Sequence, residues 1–362
     1  AQGPYQYDEN GVRYIDLFAG AGVLNYGHNP PALQAALLDY IRSCGVTHSL
    51  DMHTTAKRAF LERFEKVILK PRGLEHKVQF PGPTGTNAVE AALKVARKAT
   101  GRQSVICFTN AFHGMTLGAL SMTGNSSKRE GAGVPLHHAQ RMPFDGDLGE
   151  GQDSLDFLQN SLNNSSSGFD LPAAIILETV QAEGGVRVAS VDFLQRLAQM
   201  ARSLDIPLIV DDIQVGCGRT GPFFSFEEAG IKPDIICLSK SISGYGLPLA
   251  LVLIRPDLDV WDPGEHNGTF RGHNLAFVTA TEALSYWEND DLSREVEVKS
   301  QLCRQRLQAL VDTCPALTEV RGRGLILGVE SSLDGLPQRW SEECFKRGVI
   351  VETAGPGDDV LK

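Results

Sequence analysis

The sequence predicts an α/β fold: a large domain built on a mostly parallel sheet with helices on both faces, and a smaller α+β domain after it. Two observations predict it. Short β-branched runs alternate with segments of helical period through the middle of the chain, and those runs carry apolar residues on both faces, as strands covered on both sides do. After about residue 273 the character changes to long helical patterns followed by a few strands.

The strand runs are Ser104–Phe108, Ala173–Leu177, Leu208–Asp211, Ile235–Ser239 and Leu249–Ile254. Between them, Asn87–Ala99 puts Val89, Ala92, Leu93 and Ala96 on one helical face with Gly101 as the stop, and Val191–Ser203 does the same with Phe193, Leu194, Leu197 and Met200. The low-complexity stretch Asn160–Gly168 reads as a solvated surface loop. In the last part, helical patterns at His273–Glu288 and Leu292–Thr313 lead to strands near Leu317–Arg321 and Leu325–Glu330, a helix near Arg339–Arg347 and a strand Val349–Glu352. The expected division is an N-terminal segment, 1–45, contributing to the small domain, a large domain over 46–272, and a small domain over 273–362 whose end reads as truncated. A length of 362 residues suits two cores at ~150 residues per domain.

Composition narrows the function classes. Thirty-four basic and 44 acidic residues give a net charge of −10, a poor match to nucleic acid or an anionic membrane. No apolar run approaches the ~18 residues a span requires, and AQGPYQYDENG has neither the basic nor the apolar region of a signal peptide. Seven scattered cysteines, never spaced CxxC, read as reduced thiols of a cytoplasmic protein rather than disulfides or a zinc site. The histidines show no HExxH-like spacing, and no GxGxxG opens a helix after a first strand, so neither a metal nor a nicotinamide cofactor is expected.

Polar residues just past the strand ends carry the candidate chemistry, because an open parallel sheet binds ligands at its carboxyl edge. Pro81–Asn87 (PGPTGTN) runs into an amphipathic helix. Gly85 allows close backbone approach, and the helix start with Thr84 and Thr86 offers an anion site; a plain turn with Thr86 as cap is the other reading. Asp211 ends an apolar strand, where a buried carboxylate needs a cationic partner to stay charged; it serves equally as a turn cap. Lys240 follows an apolar strand and precedes a Ser/Gly-rich loop, as a desolvated nucleophilic amine or as a lysine reaching for solvent. Phe112 and His113, past SVICF, are placed to stack on a flat heterocycle or to pack in the core.

Together these segments resemble the fold-type I pyridoxal-phosphate enzymes, specifically the class III aminotransferases. DDIQVGCGRTG, followed by SKSISGYGLPLA with Lys240 standing 29 residues after Asp211 (240 − 211), is similar to that family's cofactor motif, and the resemblance extends over essentially the whole chain. It implies a seven-stranded type of sheet and pyridoxal 5′-phosphate as cofactor. It implies that Lys240 holds the cofactor covalently and shuttles the proton, and that Asp211 pairs with the pyridinium nitrogen, which lets the ring accept electrons. Gln214 is then placed at the phenolic oxygen, Gly85 and Thr86 at the phosphate, and Phe112 on the ring with His113 beside it. Thr269, in HNGTFRGHN, would reach the phosphate of a neighbouring subunit, which implies a homodimer or larger homo-oligomer with composite sites. Glu183 matches a glutamate that pairs with a cation until a substrate carboxylate displaces it, and Glu178 would line the substrate end. The family's usual cation there is an arginine; Lys362 is the nearest candidate by position. Departures are Asp212 for the usual Glu, Thr179 for Pro and Ala182 for Gly.

Longer stretches, FAGAGVLNYGHNPP and FTNAFHGMTLGALSMTGN among them, resemble the diaminobutyrate–2-oxoglutarate aminotransferases of ectoine and siderophore biosynthesis. That resemblance implies ping-pong transfer, through pyridoxamine phosphate, from L-glutamate to L-aspartate 4-semialdehyde. Other class III activities on ornithine, acetylornithine or GABA, and a non-catalytic cofactor-binding regulatory module, are the alternatives.

Overall fold

The computed structural model describes residues 1–149 and 151–362. Its centre is a seven-stranded sheet. In chain order the strands are β1 (Lys77–Gln79), β2 (Val105–Phe108), β3 (Ala139–Met142), β4 (Ala174–Leu177), β5 (Leu208–Asp211), β6 (Ile235–Leu238) and β7 (Leu251–Ile254). Their spatial order is β1-β7-β6-β5-β4-β2-β3. The pairs β3·β2, β2·β4, β4·β5 and β5·β6 are parallel, and β7 alone runs against its neighbours.

The five predicted strands are present and fully buried. Successive side chains point to opposite faces, and the core divides accordingly. Val105, Cys107, Ile176, Ile209, Ile235, Cys237 and Val252 join one apolar cluster with the helix Gly85–Thr100. Ile106, Phe108, Leu177, Val210, Ile236, Leu238 and Leu253 join another, rich in phenylalanine, with the helix Val191–Ser203. β1 and β3 were not predicted: their sequences, KVQ and AQRM, belong to partly exposed edge strands and lack the apolar run.

Local signals set the helix ends. Ser190 accepts from Phe193 N at 3.1 Å to cap Val191–Ser203, and Gly101, at φ +69°, ends Gly85–Thr100 in the left-handed conformation. The expected loop at 160–168 is corrected in its first part. Residues 160–163 are the last turn of the helix Ser154–Asn163, whose Leu155 and Leu158 are buried and whose start is capped by Asp153. Tertiary packing of that face outweighs the weak helix propensity of Asn and Ser.

The helix Asn274–Ala283 places Ala276, Phe277 and Ala280 in the phenylalanine-rich cluster. A separate small core, Leu317, Val320 and Val329 with Trp340 packed on it, lies further along. There the strands Leu317–Arg323, Ile326–Ser331, Val360–Leu361 and Thr353–Ala354 form an antiparallel sheet in that order. The N-terminal strand Arg13–Asp16 pairs in parallel with Val349–Ile350, joining the two ends of the chain. Among the described residues no helix is long and apolar enough to cross a membrane.

Candidate active site

The carboxyl ends of β2, β4, β5 and β6 share one rim. Asp211 ends β5 opposite Cys237 of β6, and Lys240 follows three positions after Cys237. The register therefore brings the carboxylate and the amine to the same edge.

A cavity of about 280 Å3 opens there. Nine residues singled out in the sequence line it: Thr84, Gly85, Thr86, Phe112, His113, Glu178, Asp211, Gln214 and Lys240. Glu183 lines a neighbouring cavity of about 490 Å3 that shares Phe112. Thr269 lines neither; it is exposed at the start of the short helix Thr269–Gly272, and Gly268 before it lies against the carbonyl of Pro81.

At the back of the cavity Asp211 is 4% exposed. His113 Nδ1 lies 2.8 Å from its Oδ2, and Ile213 N–H donates to its Oδ1 at 3.2 Å. His113 is itself buried, positioned by its N–H on Thr123 Oγ1 at 3.0 Å, while its Nε2 has no partner among the described residues. A carboxylate so enclosed needs more positive charge than a neighbouring imidazole guarantees.

In the same cavity, Gly85 and Thr86 begin a helix of 16 residues, so their N–H groups are without intrahelical partners. Thr86 Oγ1 sits 2.7 Å from Thr116 Oγ1, which in turn donates to Glu90 at 2.5 Å. A Cβ at Gly85 would come within 3.0 Å of Ile213 Cδ1, and one at Gly114 within 2.5 Å of Thr86 Oγ1, so both glycines keep this wall open. A buried carboxylate, a free helix start and the Phe112 ring lining one cavity fit a flat cationic ring carrying a phosphate.

Lys240 holds a left-handed φ of +53°, a conformation costing a non-glycine residue ~1–2 kcal/mol. Its Nζ donates to Ala21 O at 2.9 Å and contacts no carboxylate directly among the described residues. Burial is the largest influence on it and lowers its pKa below that of an ordinary lysine; the charge of Lys362 acts the same way, against Glu183, Asp211 and Glu178. The Ala21 carbonyl comes from a turn that the sequence reading missed. Residues 19–22 have φ values of 50°, 60°, 54° and 87°, a left-handed turn. Ser241 Oγ donates to Gly22 O at 2.7 Å and accepts from Asn25 N at 3.1 Å, clamping this turn to the lysine loop. Asn25 Oδ1 in turn accepts from Arg219 at 2.6 Å. Burial lowers the Arg219 guanidinium to about 10. The available signal was the glycine alternation in FAGAG, which is not specific for left-handed backbone.

The remaining carboxylates differ sharply. Burial, then the nearby Asp211, pushes Glu178 well above the usual carboxylate range, against the N–H of Phe112 that it accepts at 2.8 Å. Burial would raise Glu183 too, but Lys362 Nζ at 2.8 Å and Gln214 Nε2 at 3.0 Å together hold it below its ordinary value. Gln214 thus lines the cavity while its amide N–H turns to Glu183. Burial raises Asp212 to about 7 despite hydrogen bonds from Ser225 N and Oγ. Ser225 Oγ also accepts from Thr179 Oγ1 at 2.6 Å.

The chain is similar to known proteins. The profile of the family Aminotransferase class-III matches residues 1–362. Diaminobutyrate–2-oxoglutarate transaminase of Halalkalibacterium halodurans is 56% identical over 363 residues, covering 100% of this chain and 85% of that protein. That of Oceanobacillus iheyensis is 57% identical over the same shares. Among solved structures, ornithine aminotransferase from Toxoplasma gondii superposes with a TM-score of 0.85 at 28% identity, covering 99% of this chain and 83% of that one. A Bacillus anthracis aminotransferase at 23% identity, with a TM-score of 0.88 over 100% of this chain and 86% of its own, shares the fold. The chain belongs to the class III aminotransferases.

Proposed function

We propose that the protein is a pyridoxal-phosphate-dependent transaminase moving an amino group from L-glutamate to the C4 aldehyde of L-aspartate 4-semialdehyde, giving 2-oxoglutarate and L-2,4-diaminobutyrate. The observation that carries the cofactor reading is one cavity joining Asp211, Lys240, Phe112 and the Gly85–Thr86 helix start. The relatives that carry the substrate reading match the whole chain at 56–57% identity.

When bound, pyridoxal phosphate supplies an aldehyde for the incoming amine and an electron-accepting ring. Asp211, oriented by His113, would pair with the ring nitrogen and favour its protonated form. Gly85 and Thr86 would hold the phosphate and Phe112 would stack on the ring, while Gln214 has one end at the cavity. Lys240 would anchor the cofactor, and burial, which lowers its pKa, would suit its amine to taking up and returning a proton. Glu183 and Lys362 form an ion pair that a substrate carboxylate opens by taking the lysine, so the same site accepts glutamate and the semialdehyde in turn. Glu178 lines the substrate end.

Thr269 acts in the partner's site, which makes the working unit a homodimer at least. Its exposure and its absence from its own chain's cavity support this assignment. A cytoplasmic setting suits seven cysteines held as free thiols.

The test is a spectral titration of the cofactor-loaded protein. Glutamate removes the cofactor's absorbance, and aspartate semialdehyde restores it with an equal yield of diaminobutyrate. Turnover of ornithine or 4-aminobutyrate without turnover of diaminobutyrate would overturn the substrate assignment.

A further inference from the structure

Asp16 closes the N-terminal strand Arg13–Asp16, and its side chain is only 1% exposed. Its backbone is fixed there: Asp16 N–H donates to Pro4 O at 2.8 Å, and Leu17 N–H to Ile350 O at 3.0 Å. The two carboxylate oxygens have separate partners. Oδ2 accepts from Gln6 Nε2 at 2.8 Å and meets His28 Nε2 at 2.7 Å. Oδ1 accepts from the N–H of Ala19 at 2.8 Å. Burial would raise this carboxyl, but Gln6, His28 and the Ala19 N–H together hold it below its ordinary range, so it is a charged acceptor at neutral pH.

Ala19 opens the left-handed turn that ends at Gly22. Ala19 and Ala21 hold φ values of 50° and 54°, where a side chain crowds the backbone, so contacts from outside must keep the turn in place. Ala19 is its hub. Its carbonyl receives the N–H groups of Val23 and Leu24, both at 3.0 Å, while its own N–H leaves the turn for Asp16. At the far end Ser241 Oγ holds Gly22 O at 2.7 Å. Between these two anchors lies Ala21 O, 2.9 Å from Lys240 Nζ. A desolvated amine with no carboxylate on it needs such an acceptor.

We propose that Asp16 is a positioning residue for Lys240: by holding Ala19 it keeps Ala21 O where the lysine amine rests whenever that amine is free of cofactor. This rests on the reading of Lys240 as the residue that carries the cofactor. Burial lowers the pKa of the amine, and a carbonyl on it limits the fall, because it favours the protonated form. The other charges that face Lys240 are Glu183, Asp211 and Glu178, which act with the carbonyl, and Lys362, which acts against it. None of them is bonded to Asp16, whose own charge faces His28 and Arg219.

The experiment loads the protein with pyridoxamine phosphate, the form in which Lys240 carries no cofactor, and labels it with trace acetic anhydride across pH. Mass spectrometry of the Lys240 peptide reads the pKa of that amine, apart from any turnover. In Asp16→Ala the midpoint is expected to fall by about half a pH unit or more. In Asp16→Asn it stays at the wild-type value, since the amide still offers an oxygen to Ala19, and Gln6 and His28 can turn to suit its NH2. If Asp16→Ala does not fold, Asp16→Glu takes its place: the charge facing His28 and Arg219 is kept, the short reach to Ala19 is lost, and the same fall is expected. An unchanged midpoint overturns the proposal. So does an equal fall in Asp16→Asn, which would assign the effect to the charge and not to the hold on the turn. Wild type is also labelled with pyridoxal phosphate bound; a Lys240 no better protected there would overturn the cofactor reading, and this inference with it.

Discussion

Asp212 shows how one residue's chemistry reaches beyond its own position. Its carboxyl, raised by burial to about 7, touches Ser225, and Ser225 touches Thr179. One serine thus bridges Asp212 and Thr179, two positions at which the sequence departs from the motif it resembles. The folded protein keeps a proton on Asp212 between about pH 4 and pH 7, where the unfolded chain has released it. Stability therefore falls as pH rises through that window and stays lowered above it, by an amount on the order of a few kcal/mol. Asp212→Asn keeps an oxygen for Ser225 and removes the titration. The loss of melting temperature from pH 5 to pH 8 is expected to be smaller in Asp212→Asn than in wild type; equal losses would show that Asp212 does not titrate there. At the neighbouring position that matters most for chemistry, Lys240→Ala is expected to lower the half-reaction rate with glutamate by ~10²–10⁴-fold or more, with an unchanged circular dichroism spectrum. Residue identity made Lys240 and Asp211 legible in the sequence, because each stood just past an apolar run. Asp16 was not legible: it lies at the end of RYID, and only the fold carries its carboxylate to Ala19 in the turn that meets Lys240.

Among the elements, the legible ones were those whose burial is symmetric. β2, β4, β5, β6 and β7 each carry four consecutive buried residues, and no solvent-facing position interrupts the signal. The edge strands β1 and β3 and the left-handed turn at 19–22 depend on neighbours far away in sequence, so local pattern does not announce them. The helix Gly85–Thr100 was legible along its apolar face, and its start as an anion site, but not the packing that keeps this start accessible. That packing is testable at Gly114, whose φ of +129° and closeness to Thr86 leave no room for a Cβ. Gly114→Ala is expected to displace Thr86 and raise the half-saturating pyridoxal phosphate concentration by ~tenfold, about 1.4 kcal/mol of binding. An absorbance titration measures it, and an unaltered affinity would separate Thr86 from the phosphate.

For the whole molecule, the sharpest question is which chain completes which site. If Thr269 serves its partner, a mixed dimer of Lys240→Ala and Thr269→Ala subunits contains one site with both defects and one with neither. Unfolding and refolding the two variants together is expected to restore activity above the mean of the separate variants; no gain would place Thr269 in its own subunit's service. Domain-scale alternation was readable from the chain, and so was the change of character towards its end. The helix Asn274–Ala283 shows why the detail was not: its apolar face fits either core, and only the fold seats Phe277 among the phenylalanines. The parallel pairing of Ile15 with Val349 has a consequence for the order of assembly. Residues 13–16 leave the ribosome 334 residues (349 − 15) before the partner strand at 349–350. The central sheet can form meanwhile from strands that lie within residues 77–254. The turn that receives the Lys240 amine follows directly on this pairing, so Lys240 reaches its final surroundings only after residues 349–350 have been made and have joined residues 13–16.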